Sequence, residues 1–347
     1  MSEVKTVPQK ASTKKKGGAF YKDWFLYGMV SCVVLATLFP DFGKTGGALH
    51  ADVLANIGVA AVFFFHGLGL SWESLRDGLL AWRVHTAVQL MTFFVFPLIT
   101  FAFCGIFDNV LGWLPAQLAL GFYFLGALPS TISSSVAMTA IARGNIPAAV
   151  FNASISSLLG IVLTPVLIGI FATTSGDSLP LGKTIFDLFV LLFLPFILGQ
   201  LLRPLLRKFA EGFKKSINTF DKGVILLIVY SSFADSVARG LWKNYGLEIL
   251  FQTFAGTLLI LAVALGISFA TAKLCRFGKE DEITTVFCGS KKTLASGIPM
   301  AKVIFGAAAL SGDLDIGLIV LPIMFYHQLQ LLVCTILANC YAGREHN

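Results

Sequence analysis

The sequence predicts an all-α polytopic membrane protein, with about ten transmembrane helices arranged as two five-helix halves of opposite insertion and a break in the fourth helix of each half. Three observations lead there: composition, the spacing of apolar runs, and the distribution of basic residues. Of the 347 residues, 56% are hydrophobic, 13% are charged and 32 are phenylalanine. That is more apolar side chain than a water-facing surface can hide, so lipid has to be the solvent.

A span needs roughly 20 apolar residues. Runs of that kind lie near 23–41, 50–70, 84–107, 115–142, 146–171, 184–203, 220–240, 249–273, 282–305 and 314–338. Residues 1–22 carry Lys5, Lys10, Lys14, Lys15, Lys16 and Lys22. They read as a disordered basic cytoplasmic tail and not as a cleaved leader, because no small-residue cleavage site follows a short apolar core. The organisation expected is therefore 1–22 tail, 23–171 first repeat, 172–183 external linker, 184–338 second and inverted repeat, and 339–347 cytoplasmic C-terminal tail.

Basic residues fix the orientation. With the N-terminus inside, the tail lysines, Arg76, Arg83, Arg143, the cluster from Arg203 to Lys222, Lys273, Arg276, Lys279 and Arg344 all fall on the cytoplasmic side. Only Lys44, Lys183, Arg239 and Lys243 fall outside. This is the positive-inside pattern, and it puts both termini in the cytoplasm with an even number of spans. The net charge of +7 is thereby spent on topology and anionic headgroups and gives no reason to expect nucleic acid. The six cysteines, Cys32, Cys104, Cys275, Cys288, Cys334 and Cys340, contain no CxxC pair. They suit packing and indicate neither a disulfide framework nor a metal site.

The fourth span of each half is irregular. Pro129-Ser130-Thr131-Ile132-Ser133-Ser134-Ser135 interrupts the first, and Gly289-Ser290-Lys291-Lys292-Thr293-Leu294-Ala295-Ser296-Gly297-Ile298-Pro299 interrupts the second. Non-helical backbone is tolerated at membrane depth only where it faces protein or a watery cavity. Matched interruptions in oppositely inserted halves point to the binding site of a secondary transporter. The plainer alternative is a pair of proline kinks whose carbonyls are satisfied by neighbouring serines.

Around the breaks, Leu128 to Ser135, Ala142-Arg143-Gly144-Asn145, Phe151-Asn152-Ala153 running to Leu163-Thr164-Pro165, Gly289 to Met300, Tyr326-His327-Gln328 and Phe65 to Leu70 together resemble the bile acid:sodium symporter family. The likeness is to its divergent, SBF-like branch, the one containing solute carrier family ten, member seven. The resemblance implies panel and core domains, with discontinuous fourth and ninth helices crossing at mid-membrane. It also implies a sodium site beside the crossing, made by a serine and asparagine on the fourth helix, hydroxyls on the fifth, and a glutamate and glutamine on the ninth. This sequence has a run of serines at the first position and Ala295 and Pro299 at the last two, so part of that ligand set is missing.

The candidate substrate or ion-binding residues are Ser130, Thr131, Ser133, Ser134, Ser135, Asn152, Ser156, Lys291, Lys292, Thr293, Ser296, His327 and Gln328. Serine hydroxyls suit a weakly held ion or a substrate hydrogen bond, although a membrane serine also bonds back to its own i−4 carbonyl. Asn152 and Ser156 share a face, with Ser154 turned elsewhere, and the freed backbone is the expected partner of Asn152. Sodium, if bound, is expected near Ser134, Ser135, Asn152 and Ser156. Lys291 and Lys292 lie on the order of 15 Å along the ninth span, and an intramembrane lysine is a functional residue by default. One ammonium is expected to fill the space of a sodium ion or to hold an anionic substrate, and the alternative is snorkelling to the surface. His327 suits a proton relay or ordinary helix packing. Asp235, His66 and Gln89 are weaker candidates that suit end-capping and inter-helix hydrogen bonds.

The functional expectation is secondary active transport of a small organic anion or amphipathic solute, with sodium or a proton as coupling ion and no other cofactor. The competing class is a non-transporting membrane regulator or scaffold on the same fold. No nucleophile is paired with a base, so an enzyme is not expected. A single lysine tail and no external glycosylation sequon suit a bacterial inner membrane, and nothing in the chain speaks to oligomeric state.

Overall fold

A computed structural model of the protein describes residues 24–70, 80–174, 181–240, 246–311 and 314–343, and every regular element among the described residues is helical. The expected basic tail, Arg76, Lys243, Arg344 and positions 175–180 of the linker lie outside the described residues. Besides a single turn at Pro40–Gly43, the helices are α1 Trp24–Leu38, α2 Ala51–Gly69, α3 Trp82–Asp108, α4 Ala116–Ala127, α5 Ser133–Ile141 and α6 Ile146–Thr174, followed by α7 Leu181–Gly212, α8 Lys214–Ala238, α9 Glu248–Leu274, α10 Lys279–Gly289, α11 Gly297–Ser311 and α12 Ile316–Ala342. Seven helices, α2, α3, α6, α7, α8, α9 and α12, contain a stretch long and apolar enough to cross a membrane. They present side chains such as Ile57, Leu201, Leu205 and Phe251 outward, as a lipid-facing surface requires. The chain is a polytopic α-helical membrane protein.

The ends differ from the sequence expectation where side chains find partners. The last helix continues to Ala342, into the stretch expected to be a tail, because Tyr341 packs its ring on Phe287 and donates to Glu282. Similarly, α6 runs to Thr174 and α7 begins at Leu181, at the two edges of the expected linker.

Prolines shape the long helices. In α3 the residues Met91–Val95 form a wide π-turn in which the Phe96 N–H bonds to the Met91 carbonyl. Continuing that register would pair the Thr92 carbonyl with Pro97, which has no N–H, so this carbonyl is left free of the helix. The same device recurs in α7, with Phe189–Phe193 ahead of Pro195.

Helix α2 packs on α7 and α8, and α1 on α8, while α4 packs on α3 and α12. The α2–α7 crossing is close because it is built on glycine: a Cβ on Gly67 would run into the Phe196 carbonyl, and one on Gly199 into the Phe64 carbonyl. Without a solvent-driven force between helices in lipid, such close backbone contact supplies the packing energy.

Two further contacts fix the course of the interrupted segments. The Asn145 loop after α5 meets the start of α10, through Asn145 Nδ2 to Asp281 Oδ1 (2.9 Å) and Asn145 N–H to the Glu280 carbonyl (3.2 Å). At the other end, the Asp315 N–H donates to Gln117 Oε1 (2.9 Å) in the first turn of α4. The segments α4–α5 and α10–α11 therefore run antiparallel.

Candidate functional site at the two helix breaks

Helix α4 stops at Ala127 because Pro129 lacks a donor and the chain turns extended at Leu128. A helix end leaves its last carbonyls without partners, and in a buried place each must find one. Here every carbonyl from 125 to 129 is accounted for. Leu125 accepts from the Leu128 N–H, Ala127 from Thr164 Oγ1 (2.9 Å), and Pro129 from the Thr293 N–H (3.0 Å) in the second break. The carbonyls of Gly126 and Leu128 both accept from the Lys292 ammonium, at 2.8 and 2.6 Å. The third donor of that ammonium goes to the freed Thr92 carbonyl at 2.8 Å. The Phe96 ring covers the ammonium with its centroid 4.2 Å away, a cation–π contact. Lys292 is fully buried, and among the described residues no carboxylate pairs with it. Its charge is instead compensated by the negative end of the α4 dipole and the three carbonyls.

The second half-helix end is satisfied from the first break and from α12. Ser130 Oγ donates to the Cys288 carbonyl (2.7 Å), Ser135 Oγ to that of Phe287 (3.3 Å), and the Tyr326 hydroxyl to that of Ser290 (2.6 Å). Lys291, also fully buried, donates to the Ser134 carbonyl at 2.8 Å and lies over the Phe287 ring. Gln330 completes the set: its Oε1 accepts the Lys292 N–H and its Nε2 donates to the Lys292 carbonyl, both at 2.9 Å. The two breaks are thus laced to each other, with their negative ends inward and neutralised.

The positive ends are used differently. A cavity of about 230 Å³ lies against the N-terminal turn of α5 and the approach to α11, with Ser133, Ser134 and Ser296 among its lining. Its opposite wall comes from α1, α2, α8 and α12 and includes Phe25, His66, Asp221 and His327. His66 Nε2 stands 3.8 Å from Asp221 Oδ2. Among the described residues the buried hydroxyls of Ser134 and Ser296 have no protein partner, and neither has Asp221 Oδ1. Neither Lys291 nor Lys292 lines this space.

The thirteen residues singled out in the sequence therefore divide. Thr131, Ser133, Ser134, Thr293, Ser296 and His327 border the cavity. Ser130, Ser135, Lys291 and Lys292 bind the breaks together, and Ser156 joins them by accepting the Ser130 N–H (2.9 Å). Asn152 takes helix partners in place of the expected freed backbone: it donates to the Ala148 carbonyl and accepts from Gln89. Gln328 turns toward Met29 on α1, outside the cavity. Of the four residues expected around sodium, Ser134 alone borders the cavity, and Ser135, Asn152 and Ser156 use polar atoms on protein partners. Ser154 makes the i−4 bond expected of a membrane serine. Asp235 accepts from the Thr45 backbone and hydroxyl, an end-capping role. Sequence reasoning passed over Gln330, whose signal was a glutamine one turn beyond Tyr326-His327, and the three carbonyls at Thr92, Gly126 and Leu128, whose signal was the prolines after them.

A buried polar crossing of two broken helices, inside a chain of long apolar helices, is the build of a membrane transporter. The sequence profile of the SBF-like CPA transporter family matches residues 23–343, and the chain belongs to that family, which is one of transporters and not of enzymes. It is 41% identical to "Uncharacterized protein PA2026" of Pseudomonas aeruginosa over 94% of this chain and 95% of that one. It is 38% identical to "Putative symporter YfeH" of Escherichia coli, over 92% of each chain. It is 31% identical to "Sodium/bile acid cotransporter 7" of Rattus norvegicus, over 91% of each.

Proposed function

We propose that the protein is a secondary active transporter that carries a small organic anion or amphipathic solute by alternating access. The observation that carries this reading is the cavity at the N-terminal ends of α5 and α11. Helix N-termini attract anions through free N–H groups and the dipole, and here two unpartnered buried hydroxyls, Ser134 and Ser296, stand beside them. The rest of the lining, Phe25, Phe63 and Ile225 among it, suits an apolar body attached to the anionic group. The names of the rat and Escherichia coli relatives, a sodium/bile acid cotransporter and a symporter, favour the same class.

In this reading α1, the seven long helices and the two interrupted segments make ten transmembrane spans, in two inverted five-helix repeats whose fourth and ninth members are α4–α5 and α10–α11. Helices α1, α2, α7 and α8 form the panel, and the remaining helices form the core around the crossing. Both termini lie in the cytoplasm of a bacterial inner membrane, following the positive-inside pattern, and the cavity opens toward the same side. The far end of α8 is latched to the core: Ser236 bonds Asp315 and accepts the Gly317 N–H, and Arg239 donates to the Leu314 carbonyl. His66 with Asp221, and His327, suit coupling to a proton, and sodium is the alternative ion. Uptake of labelled organic anions into proteoliposomes, driven in turn by sodium and by proton gradients, tests the proposal. Saturable uptake that weakens in Ser134→Ala/Ser296→Ala supports it. A wild-type protein that takes up no anion under either gradient leaves the regulator reading in its place.

A further inference from the structure

We infer that the carbonyl cradle at the end of α4 is a cation site whose permanent occupant is the Lys292 ammonium, so that no free alkali cation binds at the crossing until Lys292 is truncated. The cradle is made by the backbone. Thr92, Gly126 and Leu128 supply oxygens at 2.8, 2.8 and 2.6 Å from Nζ, and the Phe96 ring forms the remaining wall at 4.2 Å. Each oxygen is free for a reason independent of the lysine. The π-turn points Thr92 at Pro97. Gly126 has Pro129 three residues on, and the next donor, the Ser130 N–H, goes to Ser156. Leu128 lies past the end of the helix.

Convergent backbone carbonyls at a helix C-terminus are what proteins use to hold potassium, sodium or ammonium in a membrane. A primary ammonium fits this cradle with all three N–H groups used. Lys291 offers the contrast: its ammonium has the Ser134 carbonyl and the Phe287 face but, among the described residues, no comparable ring of oxygens. Lys292→Ala removes the occupant and leaves the oxygens. The space opened has the shape of a short alkylammonium ion, and its lining is that of a hard-cation site.

The test is thermal unfolding of the purified full-length protein in detergent, in chloride salts of sodium, potassium, ammonium and ethyl-, propyl- and butylammonium, with N-methylglucamine as the inert reference at constant ionic strength. The wild type is expected to melt within about 1 °C across the series. Lys292→Ala is expected to melt on the order of 5 °C lower in N-methylglucamine, from three buried carbonyls left without donors, and to regain stability saturably with alkylammonium or alkali cations. Lys291→Ala gives no such response. A wild type that gains several degrees from sodium overturns the inference. So does a Lys292→Ala protein that folds and ignores every cation, which would mean that water fills the cradle. If Lys292→Ala does not fold, the wild-type series still decides: a flat series upholds the inference and a sodium-dependent rise defeats it. The transport corollary, uptake that does not require sodium, rests on the transporter reading. Absence of all uptake would sink that reading while leaving the unfolding result intact.

Discussion

Replacing Gln330 with leucine is expected to loosen the second break, although Gln330 itself does not line the cavity. The glutamine is fully buried. Its amide holds both backbone groups of Lys292, at 2.9 Å each, and shares a 3.0 Å contact with His327 Nδ1. Leucine is close in size, so the substitution leaves little empty volume, but it strands one N–H and one carbonyl where water does not reach. An orphaned buried polar group costs about 1–3 kcal/mol, and the added apolar burial returns about 1 kcal/mol, so two such groups give a net loss of roughly 1–5 kcal/mol. At an unfolding entropy of about 2 cal/mol/K per residue, a chain of this length should melt about 1–7 °C lower. Thermal unfolding in detergent measures this directly. Gln328→Leu is the control: its side chain faces Met29 on α1, and a surface-type change of this kind stays within about 1 kcal/mol. A Gln330→Leu protein that melts with the wild type, or a Gln328→Leu protein that is equally impaired, would refute the assignment of Gln330 as the brace of the break.

Further outcomes follow from other contacts. Ser134→Ala with Ser296→Ala should raise the KM for anion uptake about thirtyfold, two net hydrogen bonds at about 1 kcal/mol each, with an unchanged melting temperature, since neither hydroxyl has a partner to lose among the described residues. Asp315→Ala removes the N-cap of α12 and its bond to Ser236. It should cost about 1–2 kcal/mol and speed alkylation of a cysteine placed at position 239, whereas an unchanged labelling rate would show that this end is not held shut there. At Gly160 an added Cβ would stand 2.7 Å from the Pro129 ring, so Gly160→Val should displace the first break from Ser156 and abolish uptake while the protein still inserts into membranes.

The apolar helices and both breaks were legible in the sequence because lipid imposes its demands locally: length and hydropathy mark a helix, and proline with serine marks a gap. Lys292 stood out for the same reason, as a charge in an apolar run. What it holds was not legible. Its partners are carbonyls at Thr92, Gly126 and Leu128, and a carbonyl carries no residue-type signal; only Pro97 and Pro129, each withholding a donor, hinted at which oxygens would be free. The partners of Asn152 and Gln328 were not legible, because an asparagine or glutamine needs a partner without saying which. A helix carbonyl and Gln89 satisfied the first, and rotation by two positions separated the second from Gln330, which faces the break. The His66–Asp221 approach joins residues 155 positions apart in the chain, a pairing set by how α2 meets α8.

The lacing of the two breaks has a mechanical corollary. Parting the tips of α4 and α10 would at one stroke strand the carbonyls of Gly126, Leu128, Phe287 and Cys288 and two ammonium groups in a medium with nothing else to offer them, so this region resists bending and displaces as a single stiff body. Under the proposed alternating access, opening the cavity to the opposite side would instead be a slide or tilt along the walls given by α1, α2 and α8. In that reading the glycine-tight seam between α2 and α7 would make those walls a second plate, and the moving surface would be a slip plane between it and the laced breaks.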